Sequence, residues 1–328
     1  MSSSFKALVV SHEDGKFSSS IVERRIEDLP EGDLLIKVKF SSLNYKDAMS
    51  ATGMPGVTRE YPHTPGIDAT GEVVQSSSSD FKEGEKVIVS GYDLGMNTSG
   101  GFAEYIRVPS QWAVSLPAGL SEEDSMSLGT AGLTAGLSIA ALESYRGIAG
   151  TKSIVTGATG GVGSIAILLL SQLGSEVTAL SGKEEQQDFL KNLGASSVMS
   201  REELSKSVKL PLSKGIWDIG VDVVSGDILA TLLAALTPGG AVACSGLVGG
   251  TSFESSIFPF IIRGIALLGI DSVEIPIKKK KEMWENFANN WSLQGLDKVT
   301  KVVELDALEE QIKIILAGEQ VGRVVLKF

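Results

Sequence analysis

The sequence has one cysteine and two histidines in 328 residues. A lone Cys244 excludes an internal disulfide framework and any zinc site that needs two or more thiolates. His12 and His63, both near the N-terminus, do not make a histidine-rich metal site and are read as loop or surface residues. Positive charge is also short, with 29 Lys and Arg against 40 Asp and Glu and a formal net charge of −11. That balance argues against general nucleic-acid binding, which needs a basic footprint, and against electrostatic docking on anionic membranes. Long apolar runs are missing: the longest, Ile165–Leu170, falls far below the about 20 residues of a spanning helix. The opening Met1-Ser2-Ser3-Ser4-Phe5-Lys6 has no apolar core of a secretory leader, so the expectation is a soluble cytoplasmic protein. Glycine, by contrast, is abundant at 37 residues, in a chain long enough for about two domains.

The N-terminal third reads as β-rich, with runs at Phe5–Val10, Leu34–Phe40, Thr70–Val74 and Lys86–Val89. Turn signals such as Pro30-Glu31-Gly32-Asp33 and Lys82-Glu83-Gly84-Glu85 separate them. After Pro117, short β-branched runs alternate with longer apolar-periodic segments. Lys152–Thr156 reads as a strand and Val162–Leu173 as a helix stopped by Gly174. Glu176–Leu180 is a strand, Glu184–Leu193 a helix closed by Gly194, and Ser197–Met199 a short strand. Strand Ile219–Val224, helix Asp227–Leu236, turn Pro238-Gly239-Gly240 and strands Ala241–Ser245 and Ile265–Gly269 follow. This alternation implies an α/β fold with a doubly wound parallel sheet. Val302–Leu305, the helix Leu308–Leu316 and the strand Arg323–Phe328 read as a return to the first domain. The expected division is residues 1–122 with 274–328, and residues 123–273.

The most informative loop is Thr156-Gly157-Ala158-Thr159-Gly160-Gly161-Val162-Gly163, which leaves a buried strand and opens a helix. Gly160 lets the backbone approach a pyrophosphate and Gly163 lets the helix pack on the strand, while the N–H groups of residues 160–163 face the negative charge. Ala158 replaces the first glycine of the dinucleotide fingerprint, which is tolerable if that turn needs no positive φ. At the end of the second strand an NAD-binding domain usually carries an acid for the ribose 2′-hydroxyl. Here stand Ser181-Gly182-Lys183, and Arg201 follows the third short strand. A hydroxyl, a glycine and two cations suit a 2′-phosphate, so the expected cofactor is NADPH.

With these features the chain resembles the medium-chain dehydrogenase/reductase superfamily, in which a β-rich GroES-like catalytic domain precedes a Rossmann domain. Ser41-Ser42-Leu43-Asn44-Tyr45-Lys46-Asp47, Pro65-Gly66-Ile67-Asp68, Gly100-Gly101-Phe102-Ala103-Glu104-Tyr105 and Gly129-Thr130-Ala131-Gly132-Leu133-Thr134-Ala135 are similar to its quinone-oxidoreductase-like branch. Pro259-Phe260-Ile261-Ile262-Arg263-Gly264 and Leu268-Gly269-Ile270-Asp271-Ser272-Val273 are similar to the YhdH/YhfP group, which includes acrylyl-CoA reductases. In the zinc alcohol dehydrogenases of this superfamily the metal sits on a Cys, a His and a second Cys or Asp. The corresponding positions here are Asn44, Ile67 and Thr130, and the four-cysteine structural zinc loop is missing, so the resemblance implies a zinc-free enzyme.

The resemblance implies hydride delivery from NADPH to the β-carbon of an enoyl thioester such as acrylyl-CoA. A quinone or enone reductase and a non-catalytic NADPH-binding protein are the alternatives. The partner is then a small-molecule substrate, and relatives often pair as homodimers through sheet edges. Asn44, Tyr45, Asp47 and Asp68 are the candidate catalytic residues, with Tyr45 open between cofactor contact and proton donation. Asp47 and Asp68 equally suit capping or bonding of neighbouring backbone. Cofactor contacts are expected at Tyr45, Thr159, Gly160, Gly161, Val162, Gly163, Ser181, Gly182, Lys183 and Arg201. Leu247, Ile261 and Ser272 match cofactor-lining positions of the group, with a core role equally open for the two aliphatics. Arg323 matches a closing Gly-Lys/Arg motif and equally suits an exposed strand cation. The run Lys278–Lys281 reads as a solvated helix face, with a phosphate-binding role as the sharper alternative, and Cys244 as a small buried hydrophobe.

Overall fold

The computed structural model describes residues 4–209 and 211–328; Met1–Ser3, part of the segment read for a leader, lie outside the described residues. The chain divides into two compact units. One comprises Met1–Thr130, Ser272–Trp291 and Thr300–Phe328, and the other Ala131–Asp271 with Ser292–Val299. The sequence reading places the first division at 122/123. It falls instead inside the helix Glu122–Tyr145, beside Gly129, whose backbone (φ 51, ψ −154) leaves the helical region. This 24-residue helix is long and apolar enough to cross a membrane by length and composition. Its apolar window is 78% buried inside the protein, as in a core helix.

In the β-rich unit, the strand Leu34–Leu43 is the axis of a seven-stranded sheet. It pairs antiparallel with Asp68–Ser76, Tyr105–Val108 and Arg323–Lys327. Lys86–Ser90 and Ala113–Ser115 extend the sheet on one side, and Thr300–Val303 lies parallel to the C-terminal strand on the other. Leu34, Ile36 and Val38 fall on one face by the two-residue period and pack with Val73, Val87, Val89 and Ile106. The hairpin Ser4–Glu13/Lys16–Arg25 is a separate two-stranded sheet. Its turn, Asp14-Gly15, has φ of 49° and 74°, the left-handed pair that a tight hairpin requires.

The second unit carries a six-stranded, wholly parallel sheet. Its order is Ser197–Met199, Glu176–Leu180, Lys152–Val155, Trp217–Asp222, Leu236–Cys244, Ala266–Gly269. The order reverses beside Lys152–Val155, the switch point where doubly wound sheets place their ligands. The helix Gly161–Gln172, buried without interruption from Gly163 to Leu170, leaves that strand. The expected helix Glu184–Leu193 is instead a 3-10 turn at Glu184–Gln186 followed by Gln187–Asn192. The Pro238-Gly239-Gly240 turn is absorbed into Leu236–Cys244 as an irregularity: the partner of Trp217 is Leu236, and that of Ile219 is already Ala241.

Candidate active site and cofactor loop

In the β-rich unit, four sequence motifs far apart in the chain form one packed substructure around Asp68. Asn44 caps the helix Tyr45–Ala51, and its backbone N–H donates to Asp47 Oδ2 at 2.7 Å. Asp47 Oδ1 accepts the Ile67 N–H at 2.8 Å, fastening the helix start to the loop before Asp68. Asp68 Oδ2 accepts Ser42 Oγ, Asn44 Nδ2 and the Thr130 N–H, each at 2.8 Å, and Oδ1 accepts Thr130 Oγ1 at 2.7 Å. The Gly100-Gly101-Phe102 motif lies against the same loop, its N–H groups donating to Thr64, Gly66 and Pro65 carbonyls.

The surprise in this cluster is Arg323. It is 2% exposed rather than a surface cation, because it donates to the carbonyls of Ser127 (3.2 Å) and Leu43 (3.1 Å) and to Asn44 Oδ1 (3.2 Å). Burial lowers its pKa, opposed by the charges of Asp68 and Asp47. Asp47 is pushed up to about 7, first by burial and then by Asp68, against the hydrogen bonds from Asn44 and Ile67. Gly129 makes room for the group. A Cβ there would lie 2.4 Å from Ser42 Oγ, 2.7 Å from Asp68 Oδ2 and 2.8 Å from Arg323 Nη2.

This donor set does not fit a zinc ion. Ile67 offers an aliphatic chain, Asn44 Nδ2 and Thr130 Oγ1 donate to Asp68, and Asn44 Oδ1 accepts from the Arg323 guanidinium. Among the four candidate catalytic residues, Asn44, Asp47 and Asp68 are buried, whereas Tyr45, the first residue of its helix, is 36% exposed. Nearby, a cavity of about 320 Å³ is lined by residues 56–59, residues 92, 93, 96 and 97, and Glu274. It connects to the cluster through two bonds. Thr58 Oγ1 pairs with Ser50 Oγ on the Tyr45 helix at 2.6 Å, and the Gly91 N–H donates to the Ile67 carbonyl at 2.8 Å.

In the other unit, the glycine loop has the geometry that an anionic ligand needs. Its one positive φ is at Gly157 (55°), so Ala158 is compatible with the turn. Gly163 is indispensable for packing, since a Cβ there would stand 2.4 Å from the Gly157 carbonyl oxygen. Contrary to the sequence reading, the Gly160 N–H is not open; it donates to the Gly157 carbonyl at 2.9 Å. Gly160 is the N-cap of the helix Gly161–Gln172 and supplies no side-chain cap, so the first-turn N–H groups of Gly161, Val162 and Gly163 face outward at the positive helix end. Thr159 is buried beside them.

The second strand end is also assembled. Ser181 Oγ accepts the Lys183 N–H at 3.0 Å, the Ser181 N–H donates to the Met199 carbonyl at 3.0 Å, and Arg201 Nε lies 3.9 Å from the Cβ position of Gly182. Arg201 opens the helix Arg201–Ser207, held by a capping box between Ser200 and Glu203 that the sequence reading missed.

Other expectations need correction. Leu247 and Ile261 are 55% and 69% exposed, which removes the core reading for both, and Ser272 is buried in the β-rich unit. His63 is buried, not a surface residue; its Nε2 pairs with the Gly95 carbonyl at 2.9 Å and burial lowers its pKa. Lys280 leaves the expected solvated face and is 1% exposed. Cys244 is half-buried, and burial with neighbouring Asp222 pushes its thiol up to about 11, far from a nucleophilic thiolate.

Residues 30–118 match the alcohol dehydrogenase GroES-like domain and residues 161–289 the zinc-binding dehydrogenase family. The chain is 42% identical over 330 residues to the protein YhfP of Bacillus subtilis, covering 100% of both. It is 39% identical over 325 residues to the acrylyl-CoA reductase AcuI of Ruegeria pomeroyi, covering 98% of both. Among solved structures, the YhdH oxidoreductase of Salmonella enterica in complex with NADP superposes with a TM-score of 0.95 at 38% identity. That superposition covers 98% of this chain and 99% of that one.

Proposed function

The chain belongs to the medium-chain dehydrogenase/reductase family of oxidoreductases, and from that premise we propose that it reduces an α,β-unsaturated thioester of the acrylyl-CoA type with NADPH. The residues present fit this cofactor. The uncapped helix start at Gly161–Gly163 suits the pyrophosphate, and Ser181, Gly182, Lys183 and Arg201 suit the 2′-phosphate. When bound, NADPH supplies a hydride for the electrophilic β-carbon of the conjugated carbonyl. The uncapped helix start after the glycine turn carries the nucleotide reading, and the likeness to AcuI over 98% of both chains supports the thioester.

Exposure and bonding support the roles assigned to the site residues. Tyr45 is the reachable phenol and is assigned to cofactor contact and proton delivery to the α-carbon. Asn44, Asp47 and Asp68 use their polar atoms within the protein and are assigned to holding the start of the Tyr45 helix. The cavity beside that helix takes the acceptor. Tyr45→Phe is expected to lower kcat by about two orders of magnitude, the lower end of the general acid–base range of about 10²–10⁴-fold. An unchanged kcat removes the donor role. Arg201→Ala is expected to weaken NADPH about tenfold while leaving NADH unchanged, the signature of a lost 2′-phosphate contact. Equal losses for both cofactors contradict that assignment.

The reading is tested by following NADPH oxidation in parallel with acrylyl-CoA, crotonyl-CoA and a quinone. Preference for the thioesters is the expected result. Turnover confined to the quinone leaves a reductase of the alternative substrate class. No turnover with any acceptor favours an NADPH-binding protein without catalysis.

A further inference from the structure

The one charge run in the sequence holds a residue that does not behave like its neighbours. In the helix Ile277–Asn289, Lys278, Lys279 and Lys281 are exposed while Lys280 turns inward on the face of Met283, Trp284 and Phe287. Its ammonium donates to the carbonyls of Ser90 at 2.6 Å and Val273 at 2.8 Å, and sits over the Tyr92 ring 3.4 Å from its centroid. Taking an ammonium out of water is unfavourable unless its donors are met, and here carbonyl oxygens and an aromatic face do so.

Tyr92 is itself constrained. Its φ of 52° is a conformation that a bulky side chain rarely adopts. Its N–H donates to Val273 O (3.3 Å), its hydroxyl to Ile275 O (3.0 Å), and its ring stacks on Trp112 with centroids 5.8 Å apart. The preceding Gly91 also lies against this clamp, since a Cβ there would be 3.2 Å from Lys280 Nζ. Tyr92 lines the cavity beside the Tyr45 helix, and Lys280 is not among the residues lining it.

We propose that Lys280 is a positioning residue for the acceptor: it fixes the Tyr92 ring as one wall of the cavity and so sets how tightly the unsaturated substrate is held. This rests on the reductase reading, in which the cavity takes the acceptor. Lys280 touches neither acceptor nor cofactor in this account and acts through Tyr92.

The test compares Lys280→Met, Tyr92→Leu and the double variant. Each single substitution is expected to raise KM for the acceptor about tenfold, with kcat much less affected and the NADPH dissociation constant unchanged. The double variant is expected to be no worse than the poorer single one, because both remove the same wall. Additive effects, an unchanged KM in Tyr92→Leu, or parallel losses of kcat and NADPH binding overturn the proposal. If Lys280→Met does not fold, Lys280→Gln takes its place, losing the charge over the Tyr92 ring, with the same rise in KM expected and an unchanged KM overturning the proposal. If the unaltered protein turns over no acceptor, the reductase reading fails separately. The crystal structure of Lys280→Met then decides the clamp: a displaced Tyr92 ring supports it, and a ring left in place overturns it.

Discussion

Replacing Gly163 by alanine is expected to raise the NADPH dissociation constant by roughly one to two orders of magnitude, the range of about 1–3 kcal/mol for overpacking. The added methyl would stand 2.4 Å from the Gly157 carbonyl oxygen and 2.9 Å from the Ala158 Cα, both backbone atoms of the loop itself. Relief is possible only by moving the helix start away from the turn, and that turn presents the N–H groups of Gly161, Val162 and Gly163. Fluorescence titration with NADPH measures the loss, with thermal melting as the control for folding. An affinity equal to that of the unaltered protein contradicts the assigned binding geometry.

Arg323→Met is expected to be the most damaging substitution in the β-rich unit. It removes the cation whose charge offsets the buried Asp68 and Asp47 and leaves the Leu43 and Ser127 carbonyls and Asn44 Oδ1 without this donor; unsatisfied buried groups cost about 1–3 kcal/mol each, so a fall in Tm on the order of 10 °C is expected. The penalty is pH-dependent. Asp47 sits at about 7 in the folded chain, above the ordinary value of 3.8, so the folded protein holds a proton that the unfolded chain releases. Its stabilising contribution is full below about pH 4 and is lost as pH rises through about 7. Without the cation, ionisation of Asp47 becomes less favourable still. The Tm deficit of the variant is therefore expected to be larger at about pH 8 than at about pH 5. Melting curves across that range check the sign, and a deficit independent of pH contradicts the electrostatic account.

The parallel sheet was legible because its signals are local. Gly174 and Gly194 stop their helices with φ of 84° and 107°, and Leu308–Leu316 forms over the residues its periodicity marks. The strand Lys16–Arg25 escaped notice because its three serines and few apolar residues give no clear alternation, and no residue in it is fully buried. The Asp14-Gly15 turn was the available signal. Charge misled at Arg323 and Lys280. Their partners are backbone carbonyls from remote segments, Leu43 and Ser127 for one and Ser90 for the other, and no pattern near either residue reports them. Lys280 still had a readable sign, the helical spacing that places it with Trp284 and Phe287. The convergence of Ser42, Asn44 and Thr130 on Asp68 is tertiary and was accessible only as a family likeness.

The central claim is hydride transfer from NADPH to the β-carbon of an unsaturated thioester. It is tested most directly by reducing acrylyl-CoA with NADPH deuterated at the transferable position and locating the label in the product by NMR. One deuterium on the β-carbon of propionyl-CoA, with a solvent proton on the α-carbon, is the predicted result. Label at the α-carbon, or an unlabelled product, contradicts the account.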